Sequence, residues 1–111
     1  MDHALRPAGA AFALDVSVED DSWTVAVSGD LDCTTAERLR ACLQALHQQH
    51  STTVVDLEHV DFIDSAGLGV LVAAQRAAGR SGQDFVVRSP SRAVRKVVDL
   101  ASVEEITKVA T

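Results

Sequence analysis

Residues 12–18, FALDVSV, place Phe12, Leu14, Val16 and Val18 against Ala13, Asp15 and Ser17. That two-residue period predicts a half-buried strand. After the polar turn EDDS, the segment WTVAVSG at 23–29 alternates again, with Trp23, Val25 and Val27 on one face. So short a link between two strands predicts an antiparallel pair. The period then lengthens. Ala36, Leu39, Leu43 and Leu46 recur at helical spacing, and Thr34 with Glu37 has the form of a capping box at the helix start. The β-branched run TTVVDLEHV, within 52–60, predicts a central strand that has given way to an exposed loop by His59. A second helix is expected over SAGLGVLVAAQRAAGRSG at 65–82, ended by the Gly79–Gly82 region. DFVVRS at 84–89 predicts a further strand. SPSRAVRKVVDLA at 89–101 predicts a third helix, capped by Ser89 or Ser91, with Val94, Val97 and Val98 turned inward. EEITKVAT at 104–111 suggests a weak edge strand.

The resulting order, β-β-α-β-α-β-α(-β), defines an α/β fold. It implies a mixed sheet of four to five strands with helices packed on it and right-handed crossovers between the parallel strands. The chain has 111 residues, of which 47% are hydrophobic, enough for one modest core. Residues 1–10 are expected to form a flexible tail and 11–111 a single domain. A formal net charge of -6 argues against a nucleic-acid surface, which needs clustered Lys and Arg. No apolar run is long enough for a membrane-spanning helix, and the first residues lack the basic-then-apolar pattern of a signal peptide, so a cytoplasmic location is expected. Cys33 and Cys42, if near one helix, lie about 13 Å apart, beyond disulfide reach. Two reduced thiols are expected.

The stretch DFIDSAGLGVL at 61–71 carries the candidate chemistry. Ser65 follows a strand exit and opens a helix, where free amides and the positive end of the helix dipole favour an anion. Gly67 and Gly69 each cost about 1 kcal/mol relative to Ala inside a helix. Close approach of another backbone, or unusual angles at the helix start, would account for them. A plain Asp-Ser cap with glycines serving tight helix-sheet packing is the simpler alternative. Leu68, Leu71 and Val72 make one apolar stripe on this helix, yet Val70, Ala73, Ala74 and Ala77 occupy much of the rest. A helix with so little polar surface is deeply buried or meets a partner.

Three segments resemble the bacterial anti-sigma factor antagonists, small single-domain members of the STAS family. They are VAVSGDLDCTTAERLR, VVDLEHVDFIDSAGLGVLVAAQRAAGRSG and SPSRAVRKVVDLASVEEI, and together they span most of residues 12–106. The middle one, with Asp-Ser followed by Gly-Leu-Gly, is the most specific. The resemblance implies a protein that is not an enzyme and uses no cofactor or metal. Its partners would be an ATP-dependent anti-sigma factor serine kinase and a serine phosphatase. Ser65 would be the phosphoacceptor. Asp32, Asp64, Ser65, Ala66, Gly67, Leu68, Gly69, Val70 and Ala73 would form the partner-binding face. Unmodified, the protein would bind the kinase and free the sigma factor; phosphorylated, it would release the kinase. The resemblance leaves a second possibility, a STAS adaptor subunit of a stress-signalling scaffold or transport complex. Ala66 stands where a second hydroxyl is frequent in the family, and Ser102 where a glycine is expected.

Other chemistries fit the residues less well. DSAGLG is not the G-x-S-x-G elbow of a serine hydrolase, and no His is evidently placed as base. A phospho-accepting Asp56 or Asp61 beside Asp30 and Asp32 would want a lysine at a late strand end, whereas the lysines are Lys96 and Lys108. His47 and His50 sit three apart without a convincing third metal ligand.

Overall fold

The computed structural model describes residues 11–49, 52–101 and 109–110. In chain order the elements are β1 (Ala13–Glu19), β2 (Ser22–Leu31), α1 (Ala36–His47), β3 (Thr52–Ile63), α2 (Ser65–Arg80), β4 (Asp84–Arg88), α3 (Arg92–Ala101) and β5 (Val109–Ala110). The expected tail at 1–10 lies outside the described residues, as do 104–108 and 111 of the expected last strand. Of that strand, Val109–Ala110 are seen pairing with β4.

The sheet runs β1-β2-β3-β4-β5 in space, with β1 antiparallel to β2 and every later pair parallel. Asp20 makes the tight β1–β2 turn possible by taking a φ of 57°, a conformation Asp tolerates better than most residues. The alternation in the strands sorts the two faces of the sheet. Val25, Val55 and Val87 lie side by side across β2, β3 and β4 and are fully or almost fully buried. Leu39, Leu43 and Leu46 of α1, Leu68 and Leu71 of α2, and Val94 and Val98 of α3 join them in one core. One residue along each strand, Ala26, Asp56 and Arg88 form the neighbouring row. There the Asp56 carboxylate accepts from the Arg88 guanidinium at 3.2 Å, partly exposed. β1 is covered only at its start. Phe12 and Leu14 pack against the core and Arg38 of α1 lies 5.0 Å above the Phe12 ring, but Val16 and Val18 are exposed.

β3 departs from the expected strand. It continues to Ile63, so His59 lies on the strand, exposed, and not in a loop after it. Its partner β2 likewise runs on through Asp30 and Leu31. The reason is a pair of bulges. Ala26 faces Asp56 but Ser28 faces His59; Gly29 faces Val60 but Asp30 faces Phe62. Each time β3 advances one residue more than β2, and each extra residue resets the alternation. Buried positions therefore go from every second residue, Thr53, Val55 and Leu57, to every third, Val60 and Ile63. Gly29 accommodates the second irregularity with a φ of 92°, a region that L side chains avoid.

The expected capping box is not formed. The N-cap of α1 is Thr35, without a side-chain cap bond. The Thr34 hydroxyl donates to Asp32 Oδ1 at 2.7 Å, and Glu37 pairs with Arg40 one turn along. An ionised carboxylate two residues away is a stronger acceptor for that hydroxyl than anything the helix offers it. At α3, Ser91 is the capping serine: its Oγ accepts from Val94 N–H at 3.3 Å. Cys33 and Cys42 are both free thiols; Cys33 is exposed, while partial burial pushes the Cys42 thiol pKa up.

Candidate functional site

At the C-terminal ends of the parallel strands β2 and β3, the chain makes two turns side by side. The first, Asp32–Thr35, leads from β2 into α1; the second, Asp64, leads from β3 into α2. Parallel pairing brings them together, since Leu31 and Ile63 are register partners.

Inside the first turn, Asp32 gathers its own neighbours. Its Oδ1 accepts from the Thr34 N–H at 2.9 Å as well as from the Thr34 hydroxyl. The Thr35 hydroxyl donates to the Asp30 carbonyl at 2.7 Å and accepts from the Asp32 N–H at 2.9 Å. The Thr34 hydroxyl bond, followed by the Thr34 amide, holds the Asp32 carboxyl below its ordinary pKa. The turn is thus preorganised around a carboxylate that stays ionised.

The second turn begins with Asp64, the N-cap of α2, whose Oδ1 accepts from Gly67 N–H at 3.0 Å. Its other oxygen, Oδ2, accepts from the Cys33 N–H at 3.1 Å. Asp64 N–H in turn donates to the Leu31 carbonyl at 3.2 Å. Ser65 is the first residue of α2 and is exposed. It sits where helical amides have no partner one turn back and where the dipole favours negative charge.

The nine residues expected on the face separate by burial. Ser65, Gly69 and Ala73 are exposed; Asp32, Asp64, Ala66 and Val70 are half-buried; Gly67 and Leu68 point into the structure. Val70 and Ala73 border an apolar groove between α1 and α2 that Leu43, Ala77 and Phe85 also line. The two glycines have different physical origins. A Cβ on Gly67 would meet the Leu31 carbonyl oxygen at 2.5 Å, so this position is a close backbone approach. A Cβ on Gly69 would meet nothing within 4 Å. Gly69→Ala is therefore expected to stabilise the isolated protein by up to about 1 kcal/mol, the helix-propensity difference, read as a higher urea midpoint at unchanged slope.

Two features of this region were not legible in the sequence. Phe62 is exposed at 49% beside the Ser65 turn, because the second bulge turns it outward. The Asp64–Cys33 bond spans 31 positions and has no local signature. Of the other candidate sites, Asp56 is engaged by Arg88 and by the Glu58 N–H. Among the described residues, no three His, Cys, Asp or Glu side chains gather as a metal site, and no helix is long and apolar enough to cross a membrane.

The mixed sheet, the three helices and their order along the chain are those of a STAS domain, and the chain belongs to that family: the family model described as "Mlab, STAS domain" matches residues 14–109. Among its relatives is the anti-sigma-B factor antagonist of Staphylococcus epidermidis, 26% identical over 97 residues, covering 86% of this chain and 90% of the relative. An anti-sigma factor antagonist from Mycobacterium paratuberculosis superposes with a TM-score of 0.80 at 27% identity, over 91% of this chain and 87% of that one. The anti-sigma factor antagonist SpoIIAA in its unphosphorylated form gives 0.73 at 25% identity, over 91% and 89%.

Proposed function

We propose that this protein is an anti-sigma factor antagonist whose docking on an anti-sigma serine kinase is switched by phosphorylation of Ser65. The observation that carries the reading is the position of Ser65: an exposed hydroxyl on the first residue of α2, beside a turn built around the ionised Asp32. The names of the relatives support the same reading, and one structural neighbour is described in its unphosphorylated form.

The unmodified face offers an exposed serine, small side chains along α2 and two carboxylates already engaged within the protein, Asp32 by Thr34 and Asp64 by the Gly67 and Cys33 amides. A kinase supplies ATP, magnesium and the machinery of transfer, so this chain contributes a positioned hydroxyl. The Ser65 oxygen attacks the γ-phosphorus, ADP leaves, and the hydroxyl proton passes to a base on the kinase. Ser65 then carries roughly 1.5 to 2 negative charges at pH 7. A serine phosphatase returns the protein to its binding form.

The test is release of sigma factor from a purified complex with its anti-sigma kinase, followed by size-exclusion chromatography. Wild-type protein is expected to displace sigma factor and Ser65→Asp to leave the complex intact. Equal behaviour of the two proteins would overturn the switch and favour a non-switching STAS adaptor.

A further inference from the structure

We propose that Asp64 is a positioning residue, whose carboxylate locks the Asp32–Thr35 turn to the Ser65 turn so that a partner meets both as one surface. This rests on reading Ser65 as the phosphoacceptor. Asp32 and Ser65 belong to different turns, and three contacts set how those turns sit together. Asp64 N–H reaches the Leu31 carbonyl, Gly67 packs against that same carbonyl, and Asp64 Oδ2 takes the Cys33 N–H at 3.1 Å. The first two contacts hold the ends of the strands. Only the third reaches past Leu31 to the tip of the turn that carries Asp32 and Thr34. Asp64 is therefore spent inward on two backbone amides, one on each side of the junction, rather than presented to solvent as a loose charge.

The chemistry of the side chain makes this role separable from helix capping. A carboxylate has two acceptor oxygens, one used by Gly67 N–H and one by Cys33 N–H. An Asn amide has one acceptor, and its other atom is a donor that cannot face a second N–H. Asn and Ser cap helices about as well as Asp. Asp64→Asn and Asp64→Ser therefore keep the Gly67 cap and lose the tie to Cys33.

The experiment uses the full chain with a purified anti-sigma serine kinase and ATP. Both variants are expected to melt within a few degrees of wild type. The Cys33 amide should exchange with solvent at least about tenfold faster while Gly67 stays protected. KM for the protein as kinase substrate should rise about tenfold, with kcat changed by less than about threefold, because the loss is one of docking. An Asn variant with wild-type Cys33 exchange and wild-type KM would overturn the positioning role alone. A wild-type protein that takes no phosphoryl group on Ser65 would overturn the phosphoacceptor reading and the positioning role with it.

Discussion

Phosphorylated on Ser65, the protein is expected to bind its kinase about a hundredfold more weakly than the unmodified form, or worse. Two opposing effects decide this. At the start of α2 the helix dipole favours the new dianion by something like 0.3 to 1 kcal/mol, so the fold tolerates the modification. At a closed interface the same dianion loses its water, and leaving it unpaired costs several kcal/mol. The neighbouring groups worsen the balance. Asp64 is the residue before it, and Asp32, kept ionised by Thr34, sits on the adjoining turn. Each 1.4 kcal/mol is a factor of ten in affinity, so even a net cost near 3 kcal/mol gives about a hundredfold. Competition binding against a labelled unmodified protein measures this directly. Ser65→Ala should compete as well as wild type and, unlike wild type, should stay bound when ATP is added. A phosphorylated protein that competes equally would show that charge at this position does not control docking.

Gly67→Ala is expected to destabilise the fold by about 2 kcal/mol, the opposite sign to Gly69→Ala. The added methyl would sit 2.5 Å from the Leu31 carbonyl oxygen, 2.7 Å from Leu31 Cγ and 3.1 Å from Ile63 Cγ1. None of these is the free end of a flexible side chain. Leu31 is fully buried, Ile63 nearly so, and the Leu31 carbonyl is already held by Asp64 N–H. Overpacking of this kind costs about 1 to 3 kcal/mol, sometimes more, and a backbone contact belongs at the upper end. The helix-propensity gain of about 1 kcal/mol returns part of it. For a chain of this size the net loss lowers Tm by roughly 10 °C, measurable by thermal melting. A Gly67→Ala protein at least as stable as wild type would show that α2 does not approach Leu31 as closely as described. The pair of alanines also separates two uses of glycine in one motif, close packing at 67 and open surface at 69.

Much of this architecture follows from residue patterns. Alternation in Trp23, Val25 and Val27 marked a strand face, and the Leu39–Leu43–Leu46 spacing marked the buried side of α1. Asp64-Ser65 was recognisable as a strand exit into a helix, and the cap bond to Gly67 bears that out. What failed to show was set by contacts between distant residues. The end of β3 hides its strand character because two bulges, visible only in register with β2, space Leu57, Val60 and Ile63 three apart. Thr34 has the spacing of a cap, but Asp32 captures its hydroxyl first. The joining of the two turns depends on parallel pairing of β2 and β3, and no local motif encodes the Asp64–Cys33 bond. Propensity and periodicity thus located the Ser65 turn, while tertiary contacts assembled the surface around it.

The hydroxyl of Ser65 is the group expected to receive the phosphoryl group. Intact mass followed by peptide mapping, after incubation with an anti-sigma serine kinase and ATP, tests it most directly. The expected result is a single phosphoryl group on Ser65 in wild type and none on Ser65→Ala. Phosphate found instead on Ser81, Ser91 or a threonine, with Ser65 unmodified, would rule out Ser65 as the phosphoacceptor.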